Sequence, residues 1–345
     1  LRAARRLAAF YRPTPDQFNE EQPRGYFLRP PPERNIAAVI GPGVGFLSPQ
    51  GALRIEMGLE KQELQSRIEK LLGAKVESWR RVEGGYTPAL RLRIQTARGS
   101  FFVKVGTTPL TSRMLRREIR NYRRIRGDFI SALVGWEDDP DAPILIIEDL
   151  STAYWPPPWD EQKVELTLAQ IDAMHGASAP IEHFEEAHSA FGGFWQEVAT
   201  DPAPFLSVGL ADEPWLESAL PRLVAAESAC STEGSSLTHW DLRSDNMCMM
   251  GTRVIFVDWN LACLSNPRLD LGFWLPSLAR EGGPAPEKIM PHAPEVAALV
   301  AGYFASRAGL PEIGDAPRVR WIQRQQLETA LPWAARALEL PPFGV

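Results

Sequence analysis

The densest run of chemically capable side chains is His239-Trp240-Asp241-Leu242-Arg243-Ser244-Asp245-Asn246, followed after an apolar stretch by Val257-Asp258-Trp259. Polar groups this concentrated between Val- and Ile-rich strands imply a buried, hydrogen-bonded site rather than an ordinary surface loop. A His-x-Asp-x-x-x-x-Asn pattern with a second aspartate at a strand end supplies what phosphoryl transfer needs. One carboxylate accepts the proton of an attacking hydroxyl, while an amide oxygen and a second carboxylate hold magnesium across nucleotide phosphates. Magnesium takes hard oxygen ligands, so asparagine and aspartate are suitable donors.

Such a site also needs a cation on the phosphates. The only lysine in the strand-like run 100–105 is Lys104, in Phe101-Phe102-Val103-Lys104-Val105. In the helical run that follows, Met114, Glu118, Tyr122 and Ile125 recur at i, i+4, i+8 and i+11, on one face. Glu118 is the acid on that stripe and the sole acid between Thr111 and Gly127, among seven arginines at 113, 116, 117, 120, 123, 124 and 126. An inward Glu118 wants a buried cation, and Lys104 is the candidate. The alternative is a solvent-facing Glu118 that balances its arginine neighbours.

The elements that must position these groups follow from periodicity. Leu59, Leu64, Ile68, Leu71 and Leu72 recur at helical spacing and stop at Gly73, which predicts an opening helix. Strand-like runs over 75–82, 89–95 and 100–105, separated by Gly84-Gly85 and Arg98-Gly99, form the pattern of an antiparallel sheet. A helix over 111–126 and strands over 129–136 and 144–148 follow. Beyond Asp149 the pattern turns helical, over 162–175, 214–230, 269–278, 294–308 and 319–338, with short strands at 247–249 and 254–257. Strands first and helices afterwards indicate an α+β protein of two lobes. The expected division is a small nucleotide-binding N-lobe over 57–149 and a larger, mostly helical C-lobe over 150–345. The first 56 residues differ, with eight prolines, no sustained period, and glycines at 41, 43 and 45 that lack phosphate-loop spacing. Because the first methionine is Met57, this stretch reads as an appended or disordered extension.

The stretches LTHWDLRSDNMCM and VIFVDWNLACLSNPRLDLGFW resemble the aminoglycoside phosphotransferase and choline kinase family, a branch of the protein-kinase-like fold. The likeness runs from about Met57 to Leu338 and is most specific from His239 to Asp270. It implies an ATP- or GTP-dependent and Mg2+-dependent transfer of a γ-phosphoryl group to a hydroxyl of a small molecule. By that resemblance Asp241 is the catalytic base, His239 orders its loop, Asn246 and Asp258 are magnesium ligands, and Asp270 supports the loop. Lys104, oriented by Glu118, faces the phosphates. Gly84 and Gly85 lie in the loop that covers them, and the backbone near Glu148 to Leu150 binds adenine. Two residues depart from the family pattern: Trp240 stands where glycine commonly follows the histidine, and Trp259 where protein kinases carry phenylalanine. Neither removes a ligand.

Composition narrows the rest. With 44% hydrophobic and 23% charged residues, the 345-residue chain is neither fibrous nor wholly disordered. Its apolar runs, such as 144–147 and 296–301, fall far short of the roughly 20 residues that span a bilayer, so no membrane partner is expected. Three cysteines without a CxxC pair suit a reducing, cytoplasmic setting. A net charge of -6 argues against nucleic acid, and the arginines of 113–126 encircle their helix without an aromatic platform. Residues 151–238 carry fourteen acids against Lys163 and Arg222. That excess suggests an amine-bearing acceptor, with Asp160, Glu161, Asp212 and Glu213 as partners and Trp155 and Trp159 as cation-π platforms. The bland alternative is solvated helix faces. His183, Glu185, Glu186 and His188 look metal-like, but histidines five apart on a helix lie about 140° round its axis, so they read as surface residues. His175 reads as a structural hydrogen bonder. The rival to an enzyme is a nucleotide-binding pseudokinase or scaffold, disfavoured because Lys104, Asp241, Asn246 and Asp258 are all present.

Overall fold

The computed structural model describes residues 61–84, 87–188, 191–313 and 318–343. The expected extension over 1–56 lies outside them, as do Gly85 and Tyr86. Helix α1 (Lys61–Leu72) buries Leu64, Ile68 and Leu72 along one stripe. It ends at Gly73, whose φ of +60° is a left-handed conformation that glycine adopts without strain.

Strands β1 (Val76–Arg81), β2 (Leu90–Thr96) and β3 (Gly99–Val105) precede helix α2 (Pro109–Arg124), and β4 (Leu133–Glu137) and β5 (Ile144–Glu148) follow it. Together the strands make an antiparallel sheet in the order β1-β2-β3-β5-β4. Alternation along the strands splits its core in two. Val103, Val105, Ile144 and Ile146 pack with the α1 stripe, whereas Leu145 and Ile147 pack with Leu115, Ile119 and Tyr122 of α2. Helix α2 begins two residues before its expected start because Thr108 and Thr111 form a reciprocal cap and Pro109 takes the first helical position.

The second half is helical: α3 (Glu161–His175), α4 (Glu213–Ser228), α5 (Pro267–Arg280), α6 (Pro294–Ala308) and α7 (Arg318–Ala337), with short turns of helix between them. Two small antiparallel pairs interrupt it, β6 (Ser236–Thr238) with β9 (Cys263–Ser265), and β7 (Met247–Met250) with β8 (Arg253–Phe256). The loop 239–246 runs from β6 to β7 and the loop 257–262 from β8 to β9. Strand pairing therefore sets the two polar loops side by side. Three-residue strands are too short to show alternation, which is why β6 and β9 were not legible as strands.

One expected strand is cut short. Over 129–136 only the second half joins the sheet, because Phe129 O accepts the Phe256 N–H (2.7 Å) and Ile130 bridges to Phe256. The first half thus stitches the sheet to β8. Among the described residues no helix is long and apolar enough to cross a membrane.

Glu227 on α4 accepts the peptide N–H groups of Phe194 (2.8 Å) and Trp195 (2.9 Å), capping the short helix Phe194–Thr200. Burial pushes its carboxyl up from 4.5 to about 7, against the pull of those two N–H groups. A carboxyl that holds its proton more tightly when folded favours the fold below its unfolded value, and that contribution fades as pH rises through about 7. The shift corresponds to about 3 kcal/mol. Glu227→Gln should therefore gain about that much relative to the unmodified chain between about pH 4.5 and about pH 8. Urea unfolding of both proteins at the two pH values checks this.

Candidate active site

A cavity of about 740 Å³ is lined by β1 to β3, α2, the loops 239–246 and 257–262, and α6 and α7. Every candidate catalytic, nucleotide, metal or loop-support residue among those described borders it except His239 and Asp270. Lys104 stands on β3 opposite Arg91 of β2. Its Nζ lies 2.7 Å from Glu118 Oε2 and 2.8 Å from Asp258 Oδ1, so the inward reading of Glu118 holds. Burial alone would favour a neutral lysine. The Asp258 and Glu118 carboxylates outweigh it and hold the ammonium above its usual range. For Asp258, burial opposes ionisation, but the Lys104 ammonium prevails and keeps the carboxyl below its usual value.

Asp241 is held from two sides. Asn246 Nδ2 donates to both its carbonyl and its Oδ2, each at 2.9 Å, and Arg243 Nη1 approaches its Oδ1 at 3.1 Å. Both acceptors of that Asn246 amide are oxygens, which identifies its nitrogen and turns Oδ1 the other way. Burial pushes the Asp241 carboxyl up to about 7, with Arg243 working against it.

His239 and Asp270 act behind the cavity rather than in it. The His239 ring is fully buried; Nε2 donates to Val257 O (2.9 Å) and Nδ1 accepts the Asp241 N–H (3.3 Å). The ring is thus a neutral strut between the two loops, and burial holds its pKa below the usual value. His239, grouped with Asp241 in the catalytic motif and given there a loop-ordering role, bridges the two loops in this geometry. Asp270 on α5 accepts the N–H groups of His239 (2.8 Å) and Trp240 (2.7 Å), and its Oδ2 lies 3.1 Å from His175 Nε2. His175 is the structural hydrogen bonder expected of it.

Trp240 explains its own departure from glycine. Its φ is +65°, a left-handed backbone that is strained for a bulky residue. The indole compensates by donating to Ser265 Oγ (2.8 Å) and packing 4.6 Å from the Phe184 ring. Trp240→Gly and Trp240→Ala both lose that packing, about 3 to 5 kcal/mol. Alanine also keeps the strained φ, worth about 1 to 2 kcal/mol. The glycine variant should accordingly be the more stable of the two in urea unfolding, although it is the larger truncation. Trp259 is fully buried and donates to Phe256 O (2.8 Å).

At the other end, Gly84 borders the cavity with a φ of +122°, and Gly85 lies outside the described residues. Arg91 Nη1 donates to Thr87 O (3.2 Å) and Ala89 O (3.0 Å), pinning the approach to β2. Glu148 and Leu150 both border the cavity. The Glu148 carboxylate accepts the Ala132 N–H (2.7 Å). Leu150 O is taken by the Ala153 N–H (3.0 Å) and the Trp155 indole (3.1 Å), so what Leu150 offers a base is its peptide N–H.

Several expectations fail here. Asp160 and Asp212 cap α3 and α4, accepting the N–H groups of Lys163 and Trp215, and Glu161 and Glu213 sit in the first turns of those helices. None of the four borders the cavity. Aspartate before a helix stabilises its N-terminus, and that role accounts for these acids. Trp155 borders the cavity, but Trp159 donates to Glu281 (2.8 Å) instead. His188, expected at the surface, is buried, its Nε2 near Leu261 O (2.9 Å) and Arg117 (3.2 Å). Among the described residues no cluster of His, Cys, Asp and Glu could hold a metal by itself. Three of the arginines of α2 are engaged within the protein, Arg116 with Asp138, Arg117 with Ala187 O and Arg123 over the Trp136 ring. Arg91 and Arg243 were overlooked, although β2 alternation and the position two residues after Asp241 point to them.

The comparisons with known proteins bear on the fold and the family. No curated protein sequence matches the chain. Among solved structures, a thermostable mutant of aminoglycoside phosphotransferase APH(4)-Ia, in ternary complex with AMP-PNP and hygromycin B, is similar with a TM-score of 0.53 and 14% identity. The match covers 79% of this chain and 98% of that one. Choline kinase LicA from Streptococcus pneumoniae is similar with a TM-score of 0.50 and 13% identity, over 81% of this chain and 98% of that one. At such identities the likeness establishes the two-lobed kinase-like fold. A model of the phosphotransferase enzyme family matches residues 78–321, most of the chain. The chain belongs to the phosphotransferase enzyme family.

Proposed function

We propose that this phosphotransferase moves the γ-phosphoryl group of ATP, with Mg2+, to a hydroxyl of a small molecule. The observation that carries the reading is the meeting of Lys104, Glu118 and Asp258 with Asp241 and Asn246 in one cavity. The donor set suits magnesium. Asp258 brings a carboxylate and Asn246 an amide oxygen turned away from Asp241, and phosphates complete the oxygen shell of such a hard cation. When bound, the ion neutralises charge on the phosphates.

The chain's own groups do the rest. Lys104, held by Glu118, binds the α- and β-phosphates, and the Gly84 turn covers them. Residues 57–149 supply this nucleotide grip, while 150–345 supply the loops and the acceptor end. Asp241 takes the proton of the attacking hydroxyl as its oxygen bonds to the γ-phosphorus. The bond from that phosphorus to the bridging oxygen breaks, ADP leaves, and the proton passes from Asp241 to solvent. Positioning and charge stabilisation supply most of the rate.

ADP release with Mg2+ and a panel of alcohols tests the reading, which expects turnover above the acceptor-free rate. Tight Mg-ATP binding without turnover on any alcohol would favour the scaffold instead.

A further inference from the structure

The acceptor end of the cavity is walled by aromatic rings drawn from distant parts of the chain. Phe191 lies 5.1 Å from Trp240 and 5.8 Å from Tyr303, and Phe273 lies 5.3 Å from Tyr303 and 5.9 Å from both Trp240 and Phe304. Trp240 directly precedes Asp241, so this wall adjoins the carboxylate that takes the proton. Val319 and Ile322 of α7 extend it.

The charges lining this end are already paired with one another. Its carboxylates among the described residues are Asp241 and Asp245, and Arg243 engages both, at 3.1 Å and 3.0 Å. Arg307, which does not line the cavity, lies 4.4 Å over the Tyr303 ring. Arg320, also outside the lining, donates to Gln323 Oε1 at 2.9 Å. The acids from which an amine-bearing acceptor was expected lie elsewhere, as helix caps and first turns.

We infer that the acceptor is an alcohol carried on an aromatic or hydrocarbon body, without a cationic amine beside its hydroxyl. The inference rests on the phosphotransferase reading above. The rings supply burial of apolar surface, and Arg243 already engages the carboxylates that an ammonium group would seek.

The test measures ADP release by the full chain with Mg-ATP against two sets of alcohols. One set is neutral, such as 3-phenylpropan-1-ol and 2-naphthaleneethanol; the other is cationic, comprising 3-aminopropan-1-ol, choline and an aminoglycoside. The neutral set should show kcat/KM about tenfold to a hundredfold higher, the range expected for burying one ring. Ile322→Glu, at a half-buried position, should raise the KM of the neutral acceptors about tenfold more than that of ATP. Better turnover of the cationic set overturns the acceptor class and leaves phosphoryl transfer standing. Turnover of neither set, with ATP hydrolysis that still depends on Asp241, overturns the class as well. Turnover of neither set and no Asp241-dependent hydrolysis overturns both readings.

Discussion

Asp241→Ala should lower kcat by about 10²- to 10⁴-fold, the contribution typical of a positioned general base. Binding of Mg-ATP stays largely as it was. The split follows from geometry: the Asp241 carboxylate faces Asn246 and Arg243, and neither Lys104 nor Asp258 depends on it. Arg243 keeps Asp245 as a partner, at 3.0 Å, so the variant leaves no buried charge without a counter-ion. The same residue sets the pH dependence. Burial raises Asp241 to about 7, and only the ionised form accepts a proton. kcat/KM should therefore be full above about pH 7 and fall about tenfold per unit below it. A pH profile of the unmodified enzyme that stays flat from about pH 5 to about pH 8 would contradict the assignment.

Asp258→Ala acts on binding rather than on proton transfer. It removes a candidate magnesium ligand and one of the two carboxylates on Lys104, leaving the ammonium with Glu118 alone. Affinity for Mg-ATP should drop at least about tenfold, while ATP measured without magnesium changes far less. Calorimetric titrations of both variants, with and without Mg2+, check this. Equal Mg-ATP affinity in Asp241→Ala and Asp258→Ala would sink the division of roles.

Much of this site was readable from residue order because its information is local. Glu118 stood out as the one acid on an apolar helical stripe, and its partner Lys104 as the one lysine in an adjoining strand. The loop from His239 to Asn246 carries its chemistry within eight residues. Helix α6 shows its bounds, Pro294–Ala308, because periodicity over fifteen residues is a strong signal. What was misread depended on long-range contact. Phe129 and Ile130 look like part of a strand, but where the strand pairs is decided by Phe256, far along the chain. Asp160 and Asp212 carry the same charge whether they cap a helix or line a cleft, and only the fold distinguishes the two. The aromatic wall, gathered from residues 191 to 322, has no local pattern at all.

The anchoring of α2 bears on how this protein could be controlled. Besides the Glu118 bridge, Asn121 Nδ2 donates to Trp259 O at 2.7 Å and the Tyr122 hydroxyl lies 2.7 Å from Ser131 Oγ. Swinging the helix outward would break all three interactions in the interior, each costly to leave unmade there. The same contacts fix Glu118, and through it Lys104, in place. In hydrogen exchange, the amides of the middle turns of α2 would open only with global unfolding, in the manner of a core helix rather than a regulatory one.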